Sequence, residues 1–72
     1  MKELMRAIEA LVDERLAVTE EELNAEFVFT ENMKEISDVK AACIMLAEKG
    51  NVMLMTDKLG GVVVVKNNVY SH

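Results

Sequence analysis

The stretch from Glu35 to Asn67 does most to limit what this chain can become. Val39, Cys43 and Leu46 recur at helical steps, Gly50 follows, and two apolar runs then flank a turn. The spacing keeps Val39, Cys43 and Leu46 on one helical face, and Gly50 can take the left-handed conformation that ends a helix. Val52-Met53-Leu54-Met55 and Val62-Val63-Val64-Val65, separated by Asp57-Lys58-Leu59-Gly60-Gly61, read as a β-hairpin over 52–57 and 62–67. Loop length alone leaves its register open by one residue, and a one-residue slip swaps the two faces.

Upstream, Leu4, Met5, Ile8, Leu11, Val12 and Leu16 recur at three- and four-residue steps, which predicts an amphipathic helix over 2–17. Ala17-Val18-Thr19 can form a short strand. Thr19 with Glu22 three residues on has the form of a capping box, so a second helix is expected over 20–27, burying Leu23, Phe27 and Val28. Phe27-Val28-Phe29-Thr30 alternates in a way that a short strand also would. With Met33 and Ile36 in phase with Val39, the third helix starts either near Glu31, capped by Thr30, or near Ser37, itself a good cap, and ends by Lys49. Asn67 to His72 reads as a frayed end.

Seventy-two residues make one small domain, 1–72, which buries only about 60 % of its unfolded surface and so needs nearly all its apolar residues. Phe27, Phe29 and Tyr70 are the only aromatics beside six methionines, so the core is aliphatic with Met filling gaps. One cysteine, Cys43, permits no internal disulfide and reads as a core thiol. No apolar run approaches the roughly 20 residues of a membrane span, and the first residues lack a signal-peptide core; a cytoplasmic protein with no membrane partner is the expectation.

The pattern Val-x3-Cys-x2-Leu-x3-Gly-x-Val over Val39–Val52 resembles the recognition helix and wing of the winged-helix (winged helix-turn-helix) family, whose helix typically ends in a Val…Leu..Leu…Gly-x-Val pattern before a β-hairpin. Cys43 stands where Leu is usual. About half the chain resembles the family closely and the rest by element order. The resemblance implies an α+β fold, a small winged-helix domain of three helices followed by a C-terminal β-hairpin wing. It also implies the DNA binding of many relatives, with Ser37 and Lys40 of the third helix and Lys58 and Lys66 of the wing in contact with nucleic acid.

Charge argues against that use. Residues 1–36 carry four Lys/Arg against ten Asp/Glu, and residues 37–72 carry four Lys against three acids, whereas a nucleic-acid reader normally shows a basic face. Of Ser37, Asp38, Lys40, Ala41, Ile44 and Met45, the positions that would meet DNA, one is basic and two are large apolar residues. Major-groove readers instead offer Arg, Lys, Asn or Gln. That face suits protein, unless Ile44 and Met45 lie under the first helix. The hairpin makes a separate case: alternation puts Met53 and Met55 opposite Val52 and Leu54 and splits the valines two and two, so both faces of the sheet are apolar. One packs on the helices. The other reads as an interface, with a second copy in a homodimer or with a protein partner, ahead of the alternative that the chain wraps it, for instance with Phe27–Phe29.

Catalytic chemistry has little to stand on. The one histidine is His72, and no base is placed to activate a nucleophile. Gly60-Gly61 suits a hairpin tip rather than a phosphate loop. Glu20, Glu21 and Glu22 point in different directions from one helical turn, with no histidine to complete a metal sphere. No catalytic residue, cofactor, metal or small-molecule substrate is therefore read from the sequence. The expectation is a non-enzymatic acidic module acting by protein–protein interaction, as an adaptor, an inhibitor or antagonist, or a dimeric regulatory module, through Ile44, Met45, Met53 and Met55. A stronger version has the acidic first half imitating a nucleic-acid surface. The alternative is a sequence-specific DNA-binding transcriptional regulator.

Overall fold

The computed structural model describes residues 1–29 and 35–67. It has α1 (Lys2–Arg15), β1 (Ala17–Thr19), α2 (Glu20–Phe27), α3 (Ile36–Glu48), β2 (Val52–Thr56) and β3 (Val62–Lys66) in chain order. The strands form one antiparallel sheet in the order β1-β3-β2, with β3 in the middle. The protein is thus a small α+β fold with the helices against one face of a three-stranded sheet.

Helix α1 turns Leu4, Met5, Ile8 and Val12 into the core, with Leu11 packed beside them. It stops two residues short of the expected 17. Leu16 is left-handed (φ 71°), its N–H donates to Val12 O at 2.6 Å, and its side chain is exposed rather than part of the apolar face. That sharp exit frees Ala17 for β1 and lets Leu16 O accept from Lys66 N–H at 2.8 Å. Thr19 then caps α2 reciprocally with Glu22: the Thr19 hydroxyl accepts from Glu22 N–H, and the Glu22 carboxylate accepts from Thr19 N–H, each at 3.1 Å. The Thr19 N–H and the Thr19 hydroxyl both donate to the Glu22 carboxylate, and these bonds, joined by the Arg15 guanidinium 3.5 Å away, lower the Glu22 carboxyl from its ordinary value.

Phe27 ends α2 and is buried, Val28 packs on the core, and Phe29 is exposed; no strand forms at 27–29. Helix α3 begins at Ile36 with Glu35 as its N-cap. Ser37 therefore lies inside the first turn and does not cap it. The expected start near Glu31, the caps and spacing of Thr30 and Met33, and residues 68–72 of the expected frayed end lie outside the described residues; Asn67, where that end is expected to begin, is instead half-buried and its side-chain amide donates to Gly50 O at 2.7 Å. Val39, Ala42, Cys43 and Leu46 form the buried face of α3. At its end Gly50 (φ 83°) donates to Ala47 O, and Asn51 N–H donates to Leu46 O, both at 3.0 Å, the paired closure that a left-handed glycine permits.

The core joins α1 residues to Leu23 and Phe27 of α2, the α3 face, and Val18, Val52 and Val64 of the sheet. The hairpin strands end one residue earlier than expected, at Thr56 and Lys66. Their register pairs Val52 with Lys66, Met53 with Val65, Leu54 with Val64, Met55 with Val63 and Thr56 with Val62. The turn fixes it. Asp57 N–H donates to Gly61 O at 2.8 Å, and the Asp57 carboxylate accepts from the N–H groups of Leu59 and Gly61 at 2.9 and 2.8 Å. Gly60 takes φ 83°, which a side-chain-bearing residue rarely adopts.

Candidate protein-interaction surface

Because Val64 pairs with Val18 on one side and Leu54 on the other, those three side chains share the helix-facing side of the sheet. Met53, Met55, Val63, Val65, Ala17 and Thr19 share the outer side. Met53 is 41 % and Met55 52 % exposed, and Val63 and Val65 are half-buried. The outer side is a contiguous apolar surface two residues deep across β2 and β3. Phe29, at 73 % exposed, does not fold over it.

Ile44 and Met45 also remain open, at 48 % and 41 %, so neither is enclosed beneath α1. They do not join the methionine face. Ile44 lines a groove of about 180 Å3 together with Leu23, Val39, Cys43, Leu54, Val62 and Val64, between the helices and the sheet, with Glu20 and Lys40 at its margin. Met45, about 100° further round α3, is not among the residues lining that groove. The four expected interface residues thus divide into an outer patch at Met53 and Met55, a groove position at Ile44, and Met45 apart from both.

Cys43 belongs to the groove lining and is buried. Burial pushes its thiol up to about 11, with the nearby Glu20 charge adding to the effect. A thiol held neutral in this way is a poor nucleophile, which agrees with a packing role. Among the described residues no group of three or more His, Cys, Asp and Glu side chains is placed to hold a metal ion.

The candidate nucleic-acid contacts do not form one basic surface. Ser37 and Lys40 are exposed on α3, but Lys40 Nζ lies 3.6 Å from Glu20 Oε2. Lys66 Nζ lies 3.8 Å from Asp13 Oδ1, on the helix-facing side of β3. Lys58 sits at the hairpin tip and is exposed; Lys34 lies outside the described residues. Ala41, expected to be exposed, is half-buried. Ile36, expected in phase with the buried face of α3, is 48 % exposed, and the sequence reading also passed over Leu59 at the hairpin tip, 96 % exposed, and Leu54, 39 % exposed at the sheet edge. Knowing that β2 is the outer strand would have found Leu54; its hairpin-tip position alone could have marked Leu59.

None of the described helices is long and apolar enough to cross a membrane. No family model, curated protein or solved structure matches the chain.

Proposed function

We propose that the protein is a winged-helix-like module that works by binding protein, as an adaptor, an antagonist or a dimeric regulatory unit, with β2 and β3 as its wing. The order helix, strand, helix, helix, hairpin, with the hairpin adding β3 beside β1, supports that assignment of the fold. The single observation that carries the function is the open apolar side of the sheet at Met53, Met55, Val63 and Val65. Exposed apolar side chains gathered in one patch, rather than scattered singly, mark interaction sites. Pairing of Lys40 and Lys66 with carboxylates supports protein over nucleic acid as the partner, since both cations are partly neutralised before any phosphate arrives.

The test uses Met53→Glu and Met55→Glu, alone and together. Both side chains point away from the core, so the variants should fold. Loss of self-association in sedimentation, or of capture of a partner that the unaltered protein retains, is the expected result. A strictly monomeric protein whose solubility and partner capture do not respond to either substitution would remove the basis of this reading.

A further inference from the structure

We infer that a second copy of this chain pairs antiparallel with the free edge of β2, about a two-fold axis through Leu54, so that the two sheets become one. The inference rests on the protein-binding role proposed for the hairpin and names the occupant.

The phase of the ladder carries it. Asp57 N–H donates to Gly61 O at 2.8 Å, and the register continues through Met55 with Val63 and Met53 with Val65. In an antiparallel ladder hydrogen-bonded and non-bonded pairs alternate, so Met53 and Met55 spend their backbone groups on β3. Val52, Leu54 and Thr56 aim theirs the other way, where β2 has no neighbour among the described residues. A two-fold axis through Leu54 pairs Leu54 with its own copy, Val52 with Thr56 of the second copy, and Thr56 with its Val52. Every outward N–H and C=O then finds its complement, in about six hydrogen bonds. Met53 falls opposite Met55 of the second copy as a close non-bonded pair, on the side already apolar.

The edge also lacks the usual protection. Natural edge strands are commonly blunted by lysine, proline, a bulge or short length; Val52–Thr56 is five residues in unbroken register with no charge and no proline. Both its flanks are apolar: Met53 and Met55 outside, Leu54 and Ile44 at the open side of the groove. Repulsion between two copies is limited by where the acids lie. Eight of thirteen are in α1 and α2, which pack on β1 and β3, while α3, with Asp38 and Glu48, packs on β2. Glu20, which does reach the groove margin, is paired with Lys40.

A strand pairing of this length covers less than the roughly 800 Å2 per partner of a standard interface, so dissociation is expected in the micromolar range or weaker. The test is sedimentation equilibrium together with amide hydrogen exchange at low and high protein concentration. The expected result is a monomer–dimer equilibrium in which the Leu54 and Thr56 amides gain protection as concentration rises, while those of Met53 and Met55 are protected throughout. Thr56→Pro removes two of the symmetric bonds without touching the ladder to β3 and should weaken the dimer by about tenfold or more; Thr56→Val should not. A strict monomer overturns the inference, and so does a dimer with unchanged exchange at Leu54 and Thr56. In either case, sensitivity of another partner, or of that dimer, to Met53→Glu and Met55→Glu preserves the broader reading. If the unaltered protein forms the edge dimer but its capture of another partner does not respond to those substitutions, the outer-face reading for that partner is removed instead; an edge dimer indifferent to the double substitution overturns the pairing, since it would place glutamates directly opposite one another.

Discussion

Lys40 Nζ lies 3.6 Å from Glu20 Oε2 across the margin of the groove, which spends the α3 cation best placed for a phosphate on a neighbouring carboxylate. The pair is exposed on the lysine side, so it contributes little to stability. Its consequence is for recognition. Random-sequence duplex DNA should bind weakly or not at all at physiological salt, because Lys40 and Lys66, two of the three candidate lysine contacts, are paired with carboxylates and release fewer counterions. Fluorescence titration at low and physiological salt, with Lys40→Ala and Lys58→Ala as controls, measures this. Micromolar binding at physiological salt that both substitutions abolish would reverse the ranking in favour of the DNA-binding regulator.

Leu46 is 1 % exposed, on the α3 face that packs on α1. Leu46→Asp should cost on the order of 3–5 kcal/mol, comparable with the whole stability of a small domain, because an unpaired carboxylate replaces a filled apolar site. Urea denaturation followed by circular dichroism is the measurement. A variant with native melting behaviour would mean that the buried face of α3 has been placed wrongly.

Leu16 has φ 71°, a conformation costing a side-chain-bearing residue roughly 1–2 kcal/mol. At 57 % exposed its side chain returns little burial. Leu16→Gly should therefore raise stability by about 0.5 kcal/mol after the greater unfolded-state entropy of glycine is subtracted, read as a higher urea midpoint at unchanged slope. Leu16→Val should lower it. Equal midpoints for all three, or a less stable glycine variant, would show that the turn is not strained.

Sequence reading reached the features set by short-range chemistry. Thr19 and Glu22 three residues apart, and Gly50 after an apolar helical face, each carry their signal locally. The alternation in β2 and β3 likewise revealed two apolar sheet faces. What it missed depends on neighbours distant in the chain. The period of α1 runs smoothly into Leu16, yet pairing of Leu16 O with Lys66 N–H takes that residue out of the helix. The hairpin register hung on one residue, and the Asp57 carboxylate gripping two N–H groups decides it. Ile44 and Met53 looked equivalent as exposed apolar residues, but they face a groove and an open sheet respectively. Only the fold separates them.

Cys43 supplies the last prediction, through its position in the groove lining. Its thiol is raised from 9.0 to about 11, first by burial and then by the Glu20 charge. In the unfolded chain the thiol ionises at its ordinary value, so the unfolded state loses its proton first as pH rises. The preference for the neutral folded form is fully present below pH 9 and is lost progressively between about 9 and 11. The stability difference between the unaltered protein and Cys43→Ala should therefore be flat up to pH 9 and shrink above it. Thiol-specific labelling of the folded protein at pH 8 should be much slower than in urea, since both burial and the small thiolate fraction oppose it. Parallel stability curves to pH 11, together with labelling as fast as an unfolded thiol, would show that Cys43 is open to water and that the groove is wider than the packing of Leu23, Val39 and Val64 around it implies.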